Sequence, residues 1–355
     1  MPQTFVELAA QWFRDSGIQE PAGGVARYYL ADRKRNLPVS TEITGYAIST
    51  LLYLHSLTGD AAALESAVRA GRFLNRSAWI APLALFPFEL EQPFAYFFDC
   101  GIVVRGLLAL HRATGDQECL DIAAACGRTM ARDFIAPGGD IHPILQLPSR
   151  QPMAREPRWS RSPGCYHLKA ALAWHDLFEV TGDRDFETHY CNALEQALAT
   201  HDNFLPGHAD RERVMDRLHA YAYFLEGMLP RLGDPRCAEA LRTGLDRASA
   251  LLLEIGPVFE RSDVRAQLLR MRLFGHALGA VPLDEAAASA EAVRIAAYQR
   301  EDPDHSIHGG FFFGKEGERL LPYVNPVSTG FCVQALAMWR EHRNGGVKTC
   351  ARMLV

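Results

Sequence analysis

The sequence predicts an all-α protein, an (α/α)6 toroid of six inner and six outer helices with a small β-hairpin in one rim loop, and three observations predict it. A helical hairpin recurs five times, the two arms of each hairpin differ in apolar pattern, and the connections on one side are much longer than on the other. The hairpin turns read Leu57-Thr58-Gly59-Asp60, Ala113-Thr114-Gly115-Asp116, Val180-Thr181-Gly182-Asp183 and Arg231-Leu232-Gly233-Asp234, with Ala277-Leu278-Gly279-Ala280 as a fifth, degenerate copy. Gly takes the left-handed conformation that follows a helix C-terminus, and Asp caps the free N–H groups of the next helix. Each copy therefore ends one helix and starts another.

The runs before the turns, such as 43–57 and 101–110, are apolar on almost every side, as helices enclosed by others are. The runs after them carry a one-sided stripe at helical spacing: Leu64, Ala67, Val68, Gly71 and Leu74, then Leu120, Ala123, Ala124, Gly127 and Ala131, then Phe186, Tyr190, Ala193, Leu194, Ala197 and Leu198. Inner helices are expected to start near Ser40, Asp99, Cys165, Asp216, Ser262 and Pro326, and the first five each have an outer partner. The sixth, over 327–342, lacks one. The unpaired N-terminal helix over 4–16 can supply it, docking beside the sixth and closing the ring. A hairpin cannot bury its apolar face alone, so the whole chain, 1–355, is expected to form a single toroid domain.

Lys and Arg number 37 against 42 Asp and Glu, a formal charge of −5, which leaves no basic footprint for nucleic acid. Residues 1–17 intersperse charges without an apolar core and do not read as a secretory signal. The longest uncharged apolar stretch, 78–88, is shorter than the roughly 18 residues of a membrane span and holds Pro82 and Pro87. A soluble, cytoplasmic protein is expected. Cys100, Cys119, Cys126, Cys165, Cys191, Cys237, Cys332 and Cys350 lie scattered without C-x-x-C spacing and read as reduced, buried small hydrophobes, Cys119 and Cys126 on one helix face.

The long connections, 17–39, 77–98, 133–164, 200–215, 254–261 and 300–325, all lead into inner helices and emerge on the face of those helices' N-termini. Loops of that length in a compact chain are usually functional. Counting back 17 or 16 residues from each turn Gly finds Glu42, Asp99, Asp216 and Asp263, and the third repeat has Tyr166 at 16 and His167 next to it. Four carboxylates thus point at one mouth, and two carboxyls across a cavity are the equipment of glycoside hydrolysis, one protonated for the leaving oxygen and one ionised to act on water or the sugar. Each is also what any helix N-terminus favours as a cap. The set goes beyond caps because Arg105, Lys169, Arg217, His219, Tyr221, Tyr223, Arg265 and Gln267 accompany it. Arg105, two turns into an enclosed helix, needs an anionic partner, from this set or from a ligand. Asp99 and Asp216 are the favoured pair: the aromatic run Phe94 to Phe98 can desolvate Asp99, and Arg217 and His219 favour an ionised Asp216. Glu42 and Asp263 are their substitutes.

Trp159, Tyr96, Phe311, Phe312 and Phe313 on the long loops are candidates for stacking on sugar rings, or else anchor their loops to the core. The segment His308-Gly309-Gly310-Phe311-Phe312-Phe313-Gly314 has Gly at both ends of an aromatic run and reads as the hairpin over the mouth. Gly314-Lys315-Glu316-Gly317 lacks phosphate-loop spacing, and His305 and His308 lack a third ligand, so no metal and no cofactor are expected.

These features resemble the six-hairpin glycosidase-like superfamily of (α/α)6 toroids, from the N-terminal helix to Arg343. Segments 40–46, 308–314 and 321–329, the last containing Asn325, look like those of toroid proteins encoded in bacterial exopolysaccharide-biosynthesis clusters. The resemblance implies a carbohydrate-active enzyme working on an acidic bacterial polysaccharide or oligosaccharide by carboxylate acid/base catalysis. Unsaturated-glucuronyl hydrolases of the superfamily use two Asp at inner-helix starts, a pattern Asp99 and Asp216 are similar to; acylglucosamine epimerases use two His, for which His167 and His219 stand near equivalent positions. Sugar epimerase or polysaccharide lyase is the alternative, and a non-catalytic toroid binding glycan or a polysaccharide-biosynthesis partner is another. Cyclases of the squalene type share the plan but need a D-x-D-D acid, which Asp302-Pro303-Asp304 does not supply.

Overall fold

The computed structural model describes residues 4–156, 158–347 and 351–355. In chain order the α-helices are α1 (Phe5–Asp15), α2 (Thr41–Thr58), α3 (Ala61–Phe73), α4 (Phe97–Thr114), α5 (Gln117–Phe134), α6 (His167–Thr181), α7 (Arg184–Thr200), α8 (Arg211–Gly227), α9 (Pro235–Ile255), α10 (Ser262–Ala277), α11 (Glu285–Ala296) and α12 (Pro326–Arg343). The strands are β1 (Tyr29–Leu30), β2 (Arg35–Asn36), β3 (Phe94–Tyr96), β4 (Ile144–Gln146), β5 (Gln151–Pro152), β6 (Phe259–Arg261), β7 (Gly314–Glu316), β8 (Arg319–Leu320) and β9 (Tyr323–Val324). None of the described helices is long and apolar enough to cross a membrane. Two compact units divide the chain. Unit I takes residues 19–27 and 38–200, and unit II the described residues of 1–18, 28–37 and 201–355.

Unit I is built of three hairpins, α2–α3, α4–α5 and α6–α7, with α4 packed along both α2 and α6. Gly59, Gly115 and Gly182 end the first arm of each at φ of 70°, 75° and 72°, a conformation a side chain would strain. Asp60, Asp116 and Asp183 then cap the second arm by accepting from the N–H of Ala62, Glu118 and Asp185. The first arms are enclosed: α4 buries every residue from Asp99 to Leu108. The second arms bury a stripe, as α5 does with Cys119, Ala123, Ala124, Cys126, Gly127 and Met130. Close approach of the enclosed helices depends on small residues. A Cβ on Gly106 would lie 2.6 Å from the Gly45 carbonyl, and one on Gly101 2.5 Å from that of Ala170. Strands β3, β4 and β5 form an antiparallel sheet that leads directly into α4.

Unit II repeats the plan with α8–α9 and α10–α11, and α10 packs along both α8 and α12. Helix α1 docks on α12, with the Trp12 indole donating to the Ser306 carbonyl at 2.9 Å. Here the sequence expectations need three corrections. Helix α8 starts at Arg211, capped by Asp210, which places Asp216 in its second turn instead of at its start. It also ends early, at Gly227, because Pro230 has no N–H to continue the α-helical hydrogen bonds; a 3-10 turn over Leu229–Arg231 follows, and Gly233 is not left-handed. Finally, the rim hairpin is β7–β8 over 314–320, turning at Gly317 with φ 55°, whereas Phe311 and Phe312 make only isolated bridges to Gln299 and Val324. Small three-stranded sheets, β2–β1–β9 and β6–β7–β8, take up the remaining loop backbone. Six of the seven described cysteines, Cys100, Cys119, Cys126, Cys165, Cys237 and Cys332, are buried, and Cys350 lies outside the described residues.

Candidate functional site

In unit I the tight spacing of α2, α4 and α6 gathers the first turns of three enclosed helices. None of the residues that start them, Ser40, Tyr96 and Tyr166, makes a side-chain cap, and Glu42 and Asp99 lie inside the first turns of α2 and α4. Asp99 is 5% exposed, and its Oδ2 meets no hydrogen-bond partner among the described residues. Burial pushes its carboxyl well above the usual range, and the neighbouring Glu42 pushes it further. Burial likewise raises Glu42 to about 7 against the opposing charge of Arg27. Burial thus disfavours the charge on both carboxyls, and a charge on Glu42 further disfavours one on Asp99.

Around them His167 is 3% exposed, with Tyr166 at 4.0 Å between ring centroids and the Phe97 ring edge-on at 5.3 Å. Neither of its ring nitrogens has a hydrogen-bond partner among the described residues, and burial lowers its pKa to about 3, so the imidazole is neutral. The Tyr166 hydroxyl donates to the Ser162 carbonyl, and Trp159, on a single 3-10 turn, stands edge-on to Tyr166 at 5.1 Å. Arg105 has a partner on the neighbouring helix. Its Nε donates to Asp176 of α6 at 2.9 Å, a buried pair that ties α4 to α6, so its anion is an internal one.

Unit II holds the other two acids on a guanidinium that sequence reasoning missed. Arg261, the last residue of β6, donates from Nε and Nη2 to the two oxygens of Asp263 at 3.0 and 2.7 Å, and from Nη1 to Asp216 at 2.7 Å. Burial works to raise Asp263, but Arg261 and His219 outweigh it and hold the carboxyl below its usual range. The His219 Nδ1–H donates to Gln267 Oε1 at 2.8 Å, which leaves Nε2 as the acceptor. Burial, helped by the charge of Arg261, brings His219 down to about 4 and keeps it neutral. Only the position of Arg261, a charged residue closing a long connection two places before Asp263, could have marked it in advance.

The remaining candidates are engaged elsewhere. Arg217 does not hold Asp216: its guanidinium lies 4.2 Å over the Phe204 ring, and its Nε donates to the Phe204 carbonyl at 2.9 Å. Arg265 is buried on Glu260, which also accepts from Arg294 and Tyr298. The Tyr221 hydroxyl meets His201 Nδ1 at 3.1 Å inside the core. Asn325 caps α12, accepting from the N–H of Val327 and Ser328 at 2.7 and 3.0 Å. Phe312 is buried, and His308 is folded onto the backbone of Asp302 in its own loop. For Arg105, Arg217, Tyr221, Arg265, His308, Phe312 and Asn325 the structure thus shows protein partners or core packing, because each lies where a helix end, a loop or a neighbouring helix had a group to satisfy.

No protein-family profile matches the sequence, and no curated protein sequence matches it. Solved structures do match. A sugar epimerase from a ruminal bacterium superposes with a TM-score of 0.70 at 12% identity, covering 94% of this chain and 99% of its own. A cellobiose 2-epimerase from Spirochaeta thermophila gives 0.72 at 17% identity, covering 94% and 96%. An unsaturated glucuronyl hydrolase from a Bacillus species gives 0.64 at 13% identity, covering 95% and 97%. Similarity of this extent at such low identity is similarity of fold, and this chain shares the all-α (α/α)6 fold of these structures.

Proposed function

We propose that the protein is a carbohydrate-active enzyme of glycosidase-like type, acting in the cytoplasm on an acidic bacterial oligosaccharide or polysaccharide by carboxylate acid/base catalysis. The observation that carries the reading is Asp99: a buried carboxyl with a raised pKa, one oxygen unpartnered, beside a second carboxyl titrating near neutrality. Such a group stays protonated where an exposed carboxyl would not, and can donate to a departing glycosidic oxygen. Glu42, beside Asp99 in unit I, is the candidate for the second carboxyl this chemistry requires. The solved structures of similar fold include a glucuronyl hydrolase and two sugar epimerases, and that company supports a sugar substrate.

The test is a mass-spectrometric screen of acidic and neutral oligosaccharides, followed by Asp99→Asn on the substrate found. Loss of general-acid assistance lowers turnover by about 10²–10⁴-fold. Full turnover by Asp99→Asn would overturn the assignment. A second reading, sugar epimerisation, is favoured by His219, whose neutral ring, oriented by Gln267, presents a free Nε2 as base. Product analysis separates the two, since hydrolysis releases a new reducing end whereas epimerisation leaves mass and chain length unchanged.

A further inference from the structure

One face of unit II carries aromatic rings that the acid/base chemistry leaves unused. Strand β1 pairs with β9, setting Tyr29 opposite Val324 and Leu30 opposite Tyr323. Phe312 bridges Val324 on the other side, and the Phe313 N–H donates to the Tyr323 carbonyl at 2.9 Å. Side chains alternate across extended backbone, so Tyr29, Val324 and Phe312 share one face while Tyr28, Tyr323 and Phe313 share the opposite one. Burial follows the alternation for the aromatic residues, whereas Leu30, opposite Tyr323, is buried at 7%. Tyr29, Val324 and Phe312 are 7%, 0% and 8% exposed, whereas Tyr28, Tyr323 and Phe313 are half-buried.

The three half-buried rings form a row. Tyr28 and Tyr323 lie 5.8 Å apart at 48°, and Tyr323 and Phe313 lie 6.4 Å apart at 67°. The row ends on Arg261, whose guanidinium sits 4.5 Å over the Phe313 ring while binding Asp216 and Asp263. Arg261 thus packs on Phe313 at one end of the row, and the two half-buried tyrosines follow it. An aromatic face is apolar at its centre and partly negative, which suits the C–H bonds along one side of a pyranose ring, and the tyrosine hydroxyls can meet the sugar's own.

We propose that Tyr28, Tyr323 and Phe313 are a sugar-stacking subsite that seats a pyranose ring beside the Asp216–Arg261–Asp263 cluster. The subsite rests on the carbohydrate reading above.

The experiment is saturation-transfer NMR on the full chain with a panel of neutral and uronate-bearing disaccharides, repeated on Tyr323→Ala, Tyr323→Phe and Tyr28→Ala, together with KM on any substrate turned over. Sugar C–H protons are expected to receive saturation from the wild type. Tyr323→Ala is expected to weaken binding and raise KM about tenfold, and Tyr323→Phe, which keeps the ring, to restore most of it. Tyr28→Ala, at the outer end of the row, gives the same direction and keeps the test alive if Tyr323→Ala does not fold. Unchanged binding and KM in both alanine variants would overturn the subsite and leave the carbohydrate reading standing. Failure of the wild type to bind or turn over any saccharide would overturn both.

Discussion

Glu42 shows how the burial of a single carboxyl makes stability depend on pH. Its folded pKa, about 7, stands above the ordinary 4.5 because burial disfavours its charge. Between those two values the folded protein holds a proton that the unfolded chain has released, so this group's contribution to stability falls as pH rises through that window. Glu42→Gln is expected to be nearly neutral at pH 4.5 and to raise Tm at pH 8 by roughly 2 °C or more, measured by thermal melts at the two pH values. Equal shifts at both would show that the side chain is solvated. The acids Glu42, Asp99, Asp216 and Asp263 were legible in the sequence because each holds a fixed register to a hairpin turn. Their charge partners were not. Arg261 lies 45 residues from Asp216, and nothing local reveals that it, and not the adjacent Arg217, reaches that carboxylate.

Helix pairs record the difference between patterns that are local and contacts that are not. The enclosed and striped arms followed from apolar periodicity alone, since burial on all sides and burial on one side leave different spacings in the chain. The Arg105–Asp176 pair between α4 and α6 shows what periodicity omits, because the need for a partner is visible in an enclosed Arg but its identity is not. Arg105→Met leaves Asp176 buried with only the more distant Arg112 near it, and is expected to cost about 3–5 kcal/mol. The double variant Arg105→Met/Asp176→Leu should recover most of that loss in denaturant unfolding. If the double variant is no better than the single one, the pair stabilises by more than mutual neutralisation. Helix α8 failed to follow its repeat for a comparably specific reason: Asp210 starts it a turn early and Pro230 stops it.

Unit II ties distant parts of the chain into one core. Trp12 is fully buried and bonds to Ser306, 294 residues away, and Gly309 lets the loop backbone pass so near Leu8 that a Cβ there would meet its carbonyl at 2.1 Å. Trp12→Ala is therefore expected to destabilise the protein by about 3–5 kcal/mol, read as a lowered denaturant midpoint. A loss under about 1 kcal/mol would mean that α1 contributes little to holding α12.

The sequence by itself determined the number and order of the helices, which arms are enclosed, where most turns fall and which carboxylates stand near the starts of enclosed helices. All of these are local properties, written in periodicity, capping and glycine conformation. Only the tertiary structure decided which charges meet: that Asp99 shares its surroundings with Glu42, that Asp216 and Asp263 share Arg261, and that Phe313 rather than Phe312 faces outward beside Tyr323. Those outcomes depend on helix spacing within a few ångströms and on strand register, where a shift of one residue turns every side chain to the other face.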